Sequence, residues 1–193
     1  MEPTFEKIKA IYQKHNYFWS DKINIFGIRL VAGKVDAWDD LIGVCFHKPD
    51  GSWFFECYIA TTEPGSDYLI KPMNLAGTAI VAEGQHKNVW TDGFHQGRLD
   101  RPALVQCGPF KVFRDNNRND TIELTHLETA KTGGINLHWS YAPSNSNRVK
   151  KSSAGCQVTK NELALLKIVD FVKQTGLPTV TYTLFNSGEL LTV

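Results

Sequence analysis

The chain has 193 residues, of which 42% are hydrophobic, 21% charged and 11% aromatic, a composition typical of one globular domain. Its 21 Lys and Arg residues nearly balance its 20 Asp and Glu residues. This balance gives no argument for nucleic acid or an anionic membrane as the main partner. The sequence contains no run of 18 apolar residues, so we expect no membrane insertion.

The first 19 residues carry charges among their apolar positions and lack the apolar core of a secretory signal peptide. We therefore expect synthesis in the cytoplasm. The four cysteines form no CxxC pair, so a structural zinc site is not expected. Two disulfides are arithmetically possible, but a reducing compartment favours free thiols.

Two helices are predicted. Residues 3–14 carry apolar side chains at helical spacing. Residues 160–174 follow Thr159 and Glu162, which have the spacing of a capping box, and Gly176 ends the segment. The apolar face of this second helix is expected to pack on a sheet through Leu165, Ile168, Val169 and Val172.

Most of the remaining chain has strand character. Two β-rich runs flank Asp50-Gly51, a dipeptide suited to a tight hairpin, and this predicts Cys45 and Cys57 as buried residues on paired strands. Other strands are expected from Ile23 onward and at 77–82, 101–107, 110–114, 134–139 and 179–185. We therefore predict a single α+β domain, mostly β, over residues 1–193, with residues 1–20 as an N-terminal helical extension and one or two mixed sheets.

One segment combines residues that can perform chemistry. His138 ends a strand-like run, and after a polar loop Ser153-Ala154-Gly155-Cys156 opens another apolar run. A thiol becomes a useful nucleophile beside a base and beside backbone N–H groups that can hold an oxyanion. Small residues before the thiol allow the tight turn that aims such groups. The alternative is a core thiol and a strand histidine without catalytic roles.

The spacing of these residues resembles the signature of the L,D-transpeptidase catalytic domain family, a His followed after 14 to 17 residues by Ser/Thr-His-Gly-Cys. Here 14 residues separate His138 from Ser153. The resemblance covers residues 134–158 in detail, and it implies the mixed β-sheet or sandwich fold of that family. The Ser-Ala-Gly-Cys-Gln variant resembles phage-type members.

The resemblance implies a role for each matching residue. Cys156 would be the thiolate nucleophile and His138 its general base. Gly155 and Cys156 would supply backbone N–H groups to an oxyanion hole, with Ser153 and Ala154 shaping the turn. The implied substrate is a peptidoglycan stem peptide, whose acyl group passes through a thioester to an amine or water. No cofactor is implied, and the protein would act at the cell wall after delivery by another route.

Two positions depart from the family pattern. Ala154 stands where the family has a second His, and Val158 stands where it often has Asn or Arg. These departures leave hydrolysis and crosslinking equally open. They also motivate an alternative from another class, a non-catalytic wall-binding or virion-associated module that keeps the fold. A cysteine hydrolase acting on an amide outside the wall is a third possibility.

Further residues are candidates for binding substrate or an ion. Trp139 follows the proposed base, Gln157 follows the proposed nucleophile, and His95 lies in a glycine-rich segment. Arg148, in the basic loop before the cysteine, could attract a carboxylate. A weak calcium-loop pattern, with a solvated turn as the equal alternative, is formed by Asp115, Asn117, Asn119 and Glu123. The oligomeric state is not predicted.

Overall fold

The computed structural model describes residues 2–131, 134–143 and 145–193, and strands predominate in these ranges, which confirms the mostly β, α+β class. The helices are α1 (Phe5–Lys14), α2 (Ser66–Ile70) and α3 (Glu162–Thr175). The strands are β1 (Ile23–Arg29), β2 (Asp40–His47), β3 (Trp53–Thr61), β4 (Thr78–Val81), β5 (Gly84–Phe94), β6 (Pro102–Gln106), β7 (Phe110–Asp115), β8 (Leu127–Ala130), β9 (Leu137–Trp139), β10 (Gln157–Thr159) and β11 (Val180–Asn186).

Eight strands close into a barrel-like sheet in the order β1-β11-β5-β6-β9-β10-β3-β2, with β2 pairing back to β1. The sheet is mixed, because β1/β11 and β9/β10 run parallel while its other pairs are antiparallel. A second, three-stranded antiparallel sheet has the order β4-β7-β8. The parallel β9/β10 pair brings together two distant segments of the chain, one that carries His138 and one that begins directly after Cys156.

The hairpin at Asp50-Gly51 forms as predicted. β2 pairs with β3 along its whole length, and Cys45 and Cys57 lie on the two paired strands. Gly51 has a φ of +83°, the left-handed conformation that a tight turn requires of glycine. Cys45 is buried, whereas Cys57 is only partly buried, and the four cysteines are free.

Helix α3 also forms, but its N-cap differs from the prediction. Asn161, rather than Thr159, caps it, with the Asn161 side chain accepting a hydrogen bond from Leu163 N–H at 2.8 Å. Thr159 cannot take this role because it ends β10, paired with Trp139 on one side and Ala60 on the other. The predicted stop is confirmed, because the C-cap residue is a left-handed glycine with a φ of +65°.

The main core joins the closed sheet, the small sheet and α3. The predicted apolar face of α3 is buried in this core together with inward-facing residues of the strands. Trp90 is the largest fully buried side chain, and its indole N–H donates to the carbonyl of Ile135 at 2.8 Å. This bond ties β5 to the segment that leads into β9, so it supports the position of His138.

Helix α1 packs on the opposite face of β1, and its N-terminus is capped by the Thr4 side chain. Ile8, Ile11 and Tyr12 of the helix meet Phe26 on β1 in a second apolar cluster. Because both faces of β1 are covered, the whole strand is buried. Among the described residues, no helix has both the length and the apolar character needed to cross a membrane.

Several elements were not predicted. Helix α2, which begins at Ser66 directly after Gly65, is not among the predicted helices. β8 and β10, with four and three residues, are not among the predicted strands. β5 has eleven residues, but its burial does not alternate, so the sequence carries no period-2 signal there.

Candidate functional site

Three reactive side chains meet at one end of the parallel β9/β10 pair. His138 lies on β9, Cys156 immediately precedes β10, and His95 begins the turn after β5. One ring nitrogen of each histidine and the sulfur of the cysteine all lie within 4.8 Å of one another. The structure therefore brings together the predicted nucleophile and base, and it adds a second imidazole to them.

The tautomer of His138 is set by a neighbouring carbonyl group. Its Nδ1 lies 2.7 Å from the main-chain oxygen of Trp139, which can only accept, so Nδ1 carries the proton and Nε2 is left with a lone pair. Burial, reinforced by His95 and Arg101, lowers the pKa of His138 to about 3. The imidazole is therefore neutral at physiological pH and able to accept a proton.

Cys156 is held as a neutral thiol. Its side chain is buried, and Sγ donates a hydrogen bond to the carbonyl oxygen of Gly134 at 3.2 Å. Burial raises the pKa of Cys156 to about 11, while the backbone N–H of Asn136 acts in the opposite direction. The resting pair is thus thiol and imidazole, and no ion pair between Cys156 and His138 is present to stabilise a thiolate.

The turn that presents the thiol is built around Ser153. The Ser153 hydroxyl donates to the carbonyl of Cys156 at 2.8 Å and accepts from the N–H of Gly155 at 3.2 Å. Gly155 has a φ of +120°, and a Cβ there would lie 2.6 Å from the carbonyl oxygen of Ala79, so only glycine fits. The Gly155 N–H, expected in an oxyanion hole, is already bound to Ser153 in this conformation. For the N–H of Cys156, no acceptor is found among the described residues.

The three side chains border a cleft of about 720 Å³. Two cationic side chains, Arg114 and Lys151, also line it, together with the apolar Met73 and Leu75 from the segment between α2 and β4. Arg114 is paired with Glu128 at 2.7 Å, whereas Lys151 forms no ion pair within the described part of the chain. A ligand with an apolar portion and a carboxylate fits this lining.

A larger groove of about 970 Å³ lies between β3 and the start of α3. It is lined by Trp139 and Tyr141 but by none of the three reactive side chains. We assign the site to the smaller cleft, because the groups that can exchange protons or form covalent bonds lie there.

The predicted substrate-binding residues lie in different places. His95 lines the cleft, whereas Trp139, Gln157 and Arg148 are not among its described lining residues. Trp139 packs in the main core. Gln157 is fully buried and accepts from the hydroxyl of Tyr182 at 2.7 Å.

Arg148 positions the loop that leads to the thiol. It forms an ion pair with buried Asp36, and the same carboxylate accepts from the backbone N–H of Lys150. Asp36 also accepts from the N–H of Ser66 at the start of α2. The basic residue of this loop that reaches the cleft is Lys151.

The calcium-like segment closes the loop between β7 and β8 with its own hydrogen bonds. Asp115 accepts from the N–H groups of Asn117 and Glu123, and the side-chain oxygen of Asn117 accepts from the N–H of Asn119. The same pattern continues from Asn119 to Thr121. These oxygens serve as local turn caps, as asparagine and aspartate do in loops, which favours the turn alternative for this segment.

The histidine–histidine–cysteine cluster is the group of described residues that could hold a metal ion. Nitrogen and sulfur ligands of this kind suit zinc. However, Nδ1 of His95 faces the amide nitrogen of Asn136 at 3.0 Å, so the proton of the neutral ring belongs on Nε2. If a metal bound to Nε2 of His95, the ring proton would have to move to Nδ1. The Nδ1–H would then face the amide NH₂ group of Asn136, and both groups are donors. The surroundings of His95 therefore oppose metal binding.

Two residues near the site were missed by the sequence analysis. Asn136 bonds to His95 and places its backbone N–H toward Cys156. Tyr141 stacks parallel to His138, with ring centroids 5.5 Å apart, and carries Arg101 over its face at 4.1 Å. Strand alternation offered a signal for Asn136, since it lies two residues before His138 in an extended run.

Comparison of the chain with known protein families, with curated proteins and with solved structures found no match.

Proposed function

We propose that this protein is a cysteine-dependent acyl-transfer enzyme in which Cys156 is the nucleophile and His138 the general base. One observation carries the proposal: the sulfur and a His138 ring nitrogen lie within 4.8 Å of each other beside an open cleft. The Trp139 carbonyl supports it, because it holds the His138 proton on Nδ1 and leaves Nε2 free to accept.

The chemistry follows from the neutral resting pair. As the sulfur of Cys156 bonds to the substrate carbonyl carbon, its proton passes to Nε2 of His138, and the carbonyl π electrons move to oxygen. When the intermediate collapses, the C–N bond breaks, and the leaving amine takes the proton from His138. An amine or water then attacks the thioester, with His138 again accepting and returning the proton. Because the thiol starts protonated, proton transfer accompanies attack.

Peptidoglycan stem peptides are the proposed substrate class, with the L,D-transpeptidase fold as the proposed family fold. The spacing of His138 and Ser153-Ala154-Gly155-Cys156 supports both proposals. The cleft adds a physical argument, since Lys151, which forms no ion pair within the described part of the chain, offers positive charge to the carboxylates that such peptides carry. Action at the cell wall belongs to the same proposal.

A non-catalytic binding module is the second candidate, and a specific observation favours it. The thiol of Cys156 donates to the Gly134 carbonyl and its pKa is raised by burial, as for an inert structural cysteine. Such a module would use the same cleft to bind a peptide without turnover.

Incubation with purified muropeptides, followed by mass spectrometry of the products, separates the two candidates. The enzyme proposal predicts crosslinked or shortened stem peptides with the wild-type protein and none with Cys156→Ser. The exposed Cys107 offers a matched control, because Cys107→Ser should leave product formation unchanged. Muropeptides that bind but stay intact with the wild-type protein would contradict the enzyme proposal and favour the binding module.

A further inference from the structure

His95 is held in one tautomer by a short chain of hydrogen bonds. The backbone N–H of Gln106 donates to Oδ1 of Asn136 at 2.9 Å, which fixes the orientation of the amide group. The amide nitrogen of Asn136 then faces Nδ1 of His95 at 3.0 Å. Since an amide NH₂ group can only donate, Nδ1 of His95 must accept, and the single proton of the neutral ring lies on Nε2.

The Nε2–H of His95 is available to a ligand. His95 stacks on His138 with ring centroids 4.0 Å apart and an interplanar angle of 29°. A ring N–H points in the plane of its ring, so this stacking prevents a direct bond between the two imidazoles. Within the described part of the chain, no acceptor for Nε2 is found, and His95 lines the cleft. Burial, reinforced by Arg101, lowers the pKa of His95, which favours the neutral ring.

Besides the N–H of Cys156, for which no acceptor is found among the described residues, a second donor is needed to stabilise the oxyanion. Attack on a carbonyl carbon puts negative charge on its oxygen, and fixed hydrogen-bond donors stabilise that charge. Of the two backbone groups expected to do so, the Gly155 N–H is already bound to the hydroxyl of Ser153 at 3.2 Å. The neighbouring imidazole of His138 has its only N–H on the Trp139 carbonyl and must act as an acceptor toward the thiol.

We infer that His95 donates its Nε2–H to the carbonyl oxygen of the acyl group under attack, and that Asn136 is the positioning residue that fixes the required tautomer. This inference rests on the proposed function and divides the work between the two histidines. His138 accepts the proton of Cys156, whereas His95 keeps its proton and stabilises the oxyanion through a hydrogen bond. When the carbonyl re-forms, the oxygen returns its electron pair to carbon and the hydrogen bond weakens.

The tautomer is tested first, without any activity measurement. A long-range ¹H–¹⁵N spectrum of protein labelled at its six histidines distinguishes the two neutral tautomers, and His95→Gln identifies the His95 signals by their loss. We expect the Nε2–H form in the wild-type protein. In Asn136→Asp, a carboxylate faces Nδ1 and accepts from it, so the proton should move to Nδ1. A wild-type His95 with its proton on Nδ1 would overturn the inference, and an unchanged tautomer in Asn136→Asp would overturn the role of Asn136.

The role in chemistry is tested by single-turnover acylation of Cys156 by a tetrapeptide muropeptide, followed by intact mass. His95→Phe keeps the aromatic stack but removes the donor, and it should slow acylation by about 10²–10³-fold. His95→Gln retains an N–H donor and should slow it less. Circular dichroism checks that each variant is folded. If His95→Phe does not fold, His95→Leu takes its place as the variant without a donor and is compared with His95→Gln.

The outcomes separate the inference from the proposed function. A wild-type protein that does not become acylated contradicts the proposed function and the inference together. If the wild-type protein is acylated and the folded variant without a donor (His95→Phe or His95→Leu) reacts at the same rate, only the role of His95 is overturned. Acylation that falls in the donor-free variant and is partly retained in His95→Gln supports the inference.

Discussion

The cleft and the hairpin beneath α1 both bury a cysteine, but they surround it with different groups. Cys45 packs among apolar side chains of the α1 cluster, which include Phe26 and Phe185. Cys156 has a similarly buried thiol, yet a ring nitrogen of each of two histidines lies within 4.8 Å of its sulfur and a backbone N–H also faces it. Burial raises the pKa of both thiols. Burial and a raised pKa are therefore common to both cysteines, and the two sites differ in the polar groups that lie within reach of the thiol.

The largest contrast is expected from serine substitutions of these two cysteines. Cys156→Ser should abolish acylation by a stem tetrapeptide, with a loss as large as about 10⁶-fold, because a hydroxyl is a much weaker nucleophile beside an imidazole. Cys45→Ser should leave acylation of the folded protein within about twofold, since Cys45 lies outside the cleft. Mass spectrometry of the acyl-enzyme measures both. Equal losses of acylation in the two variants would contradict the assignment of the nucleophile to Cys156 rather than to Cys45.

Loss of the base should have a smaller effect than loss of the nucleophile. His138→Ala should slow acylation by about 10²–10⁴-fold, the range found for removal of a general base. The control is His86→Ala. His86 is also buried, but its Nε2 bonds to the carbonyl of Ala82 at 2.8 Å, outside the cleft. Acylation that is insensitive to His138→Ala in a folded protein would show that the thiol reacts without this imidazole.

The neutral resting state predicts a particular pH dependence of alkylation. Iodoacetamide reacts with the thiolate, and the pKa of Cys156 is raised to about 11. Its alkylation rate should therefore rise about tenfold per pH unit between pH 6 and pH 9. Cys107→Ser protein is used, because the exposed Cys107 would otherwise react first. A rate that is independent of pH over this range would indicate a preformed thiolate–imidazolium pair instead.

The smallest expected effect of the two serine substitutions is on the free energy of unfolding. A hydroxyl at position 45 has apolar neighbours on the α1 side, so Cys45→Ser should lower the free energy of unfolding by about 1–3 kcal/mol. At position 156 the Gly134 carbonyl can accept from a serine hydroxyl as it does from the thiol, so the loss should be smaller. Urea denaturation of the two variants measures the difference. A larger loss of unfolding free energy for Cys156→Ser than for Cys45→Ser would contradict the presence of a hydrogen-bond acceptor beside Cys156.

The sequence predicted the parts of the fold that have strong local signals. The Asp50-Gly51 hairpin and the apolar face of α3 are local patterns, and both are observed. Closure of the sheet depends on pairs such as β1 with β11, which join residues at opposite ends of the chain. No local pattern encodes such a pairing. The capping prediction at Thr159 was wrong because pairing of β10 on both sides overrides the preference for a cap.

The candidate site, like the fold, could be predicted from the sequence only in part. His138 and Cys156 were found because they share a spacing along the chain. The glycine-rich segment makes His95 a candidate, but its proximity to both residues depends on the order β5-β6-β9-β10 in the closed sheet. The occupied N–H of Gly155 depends on the rotamer of Ser153, which spacing does not reveal. For these reasons the proposed division of roles between the two histidines could not be inferred from the sequence alone.

The most direct test of the account is to trap the acyl-enzyme. Cys107→Ser protein is treated with a carbapenem or a stem tetrapeptide, digested, and mapped by mass spectrometry. The account predicts a single acyl adduct, located on Cys156, that is lost in Cys156→Ser and forms much more slowly in His138→Ala. An adduct on Cys45 or Cys57, or no adduct on a folded protein that binds the peptide, would contradict it.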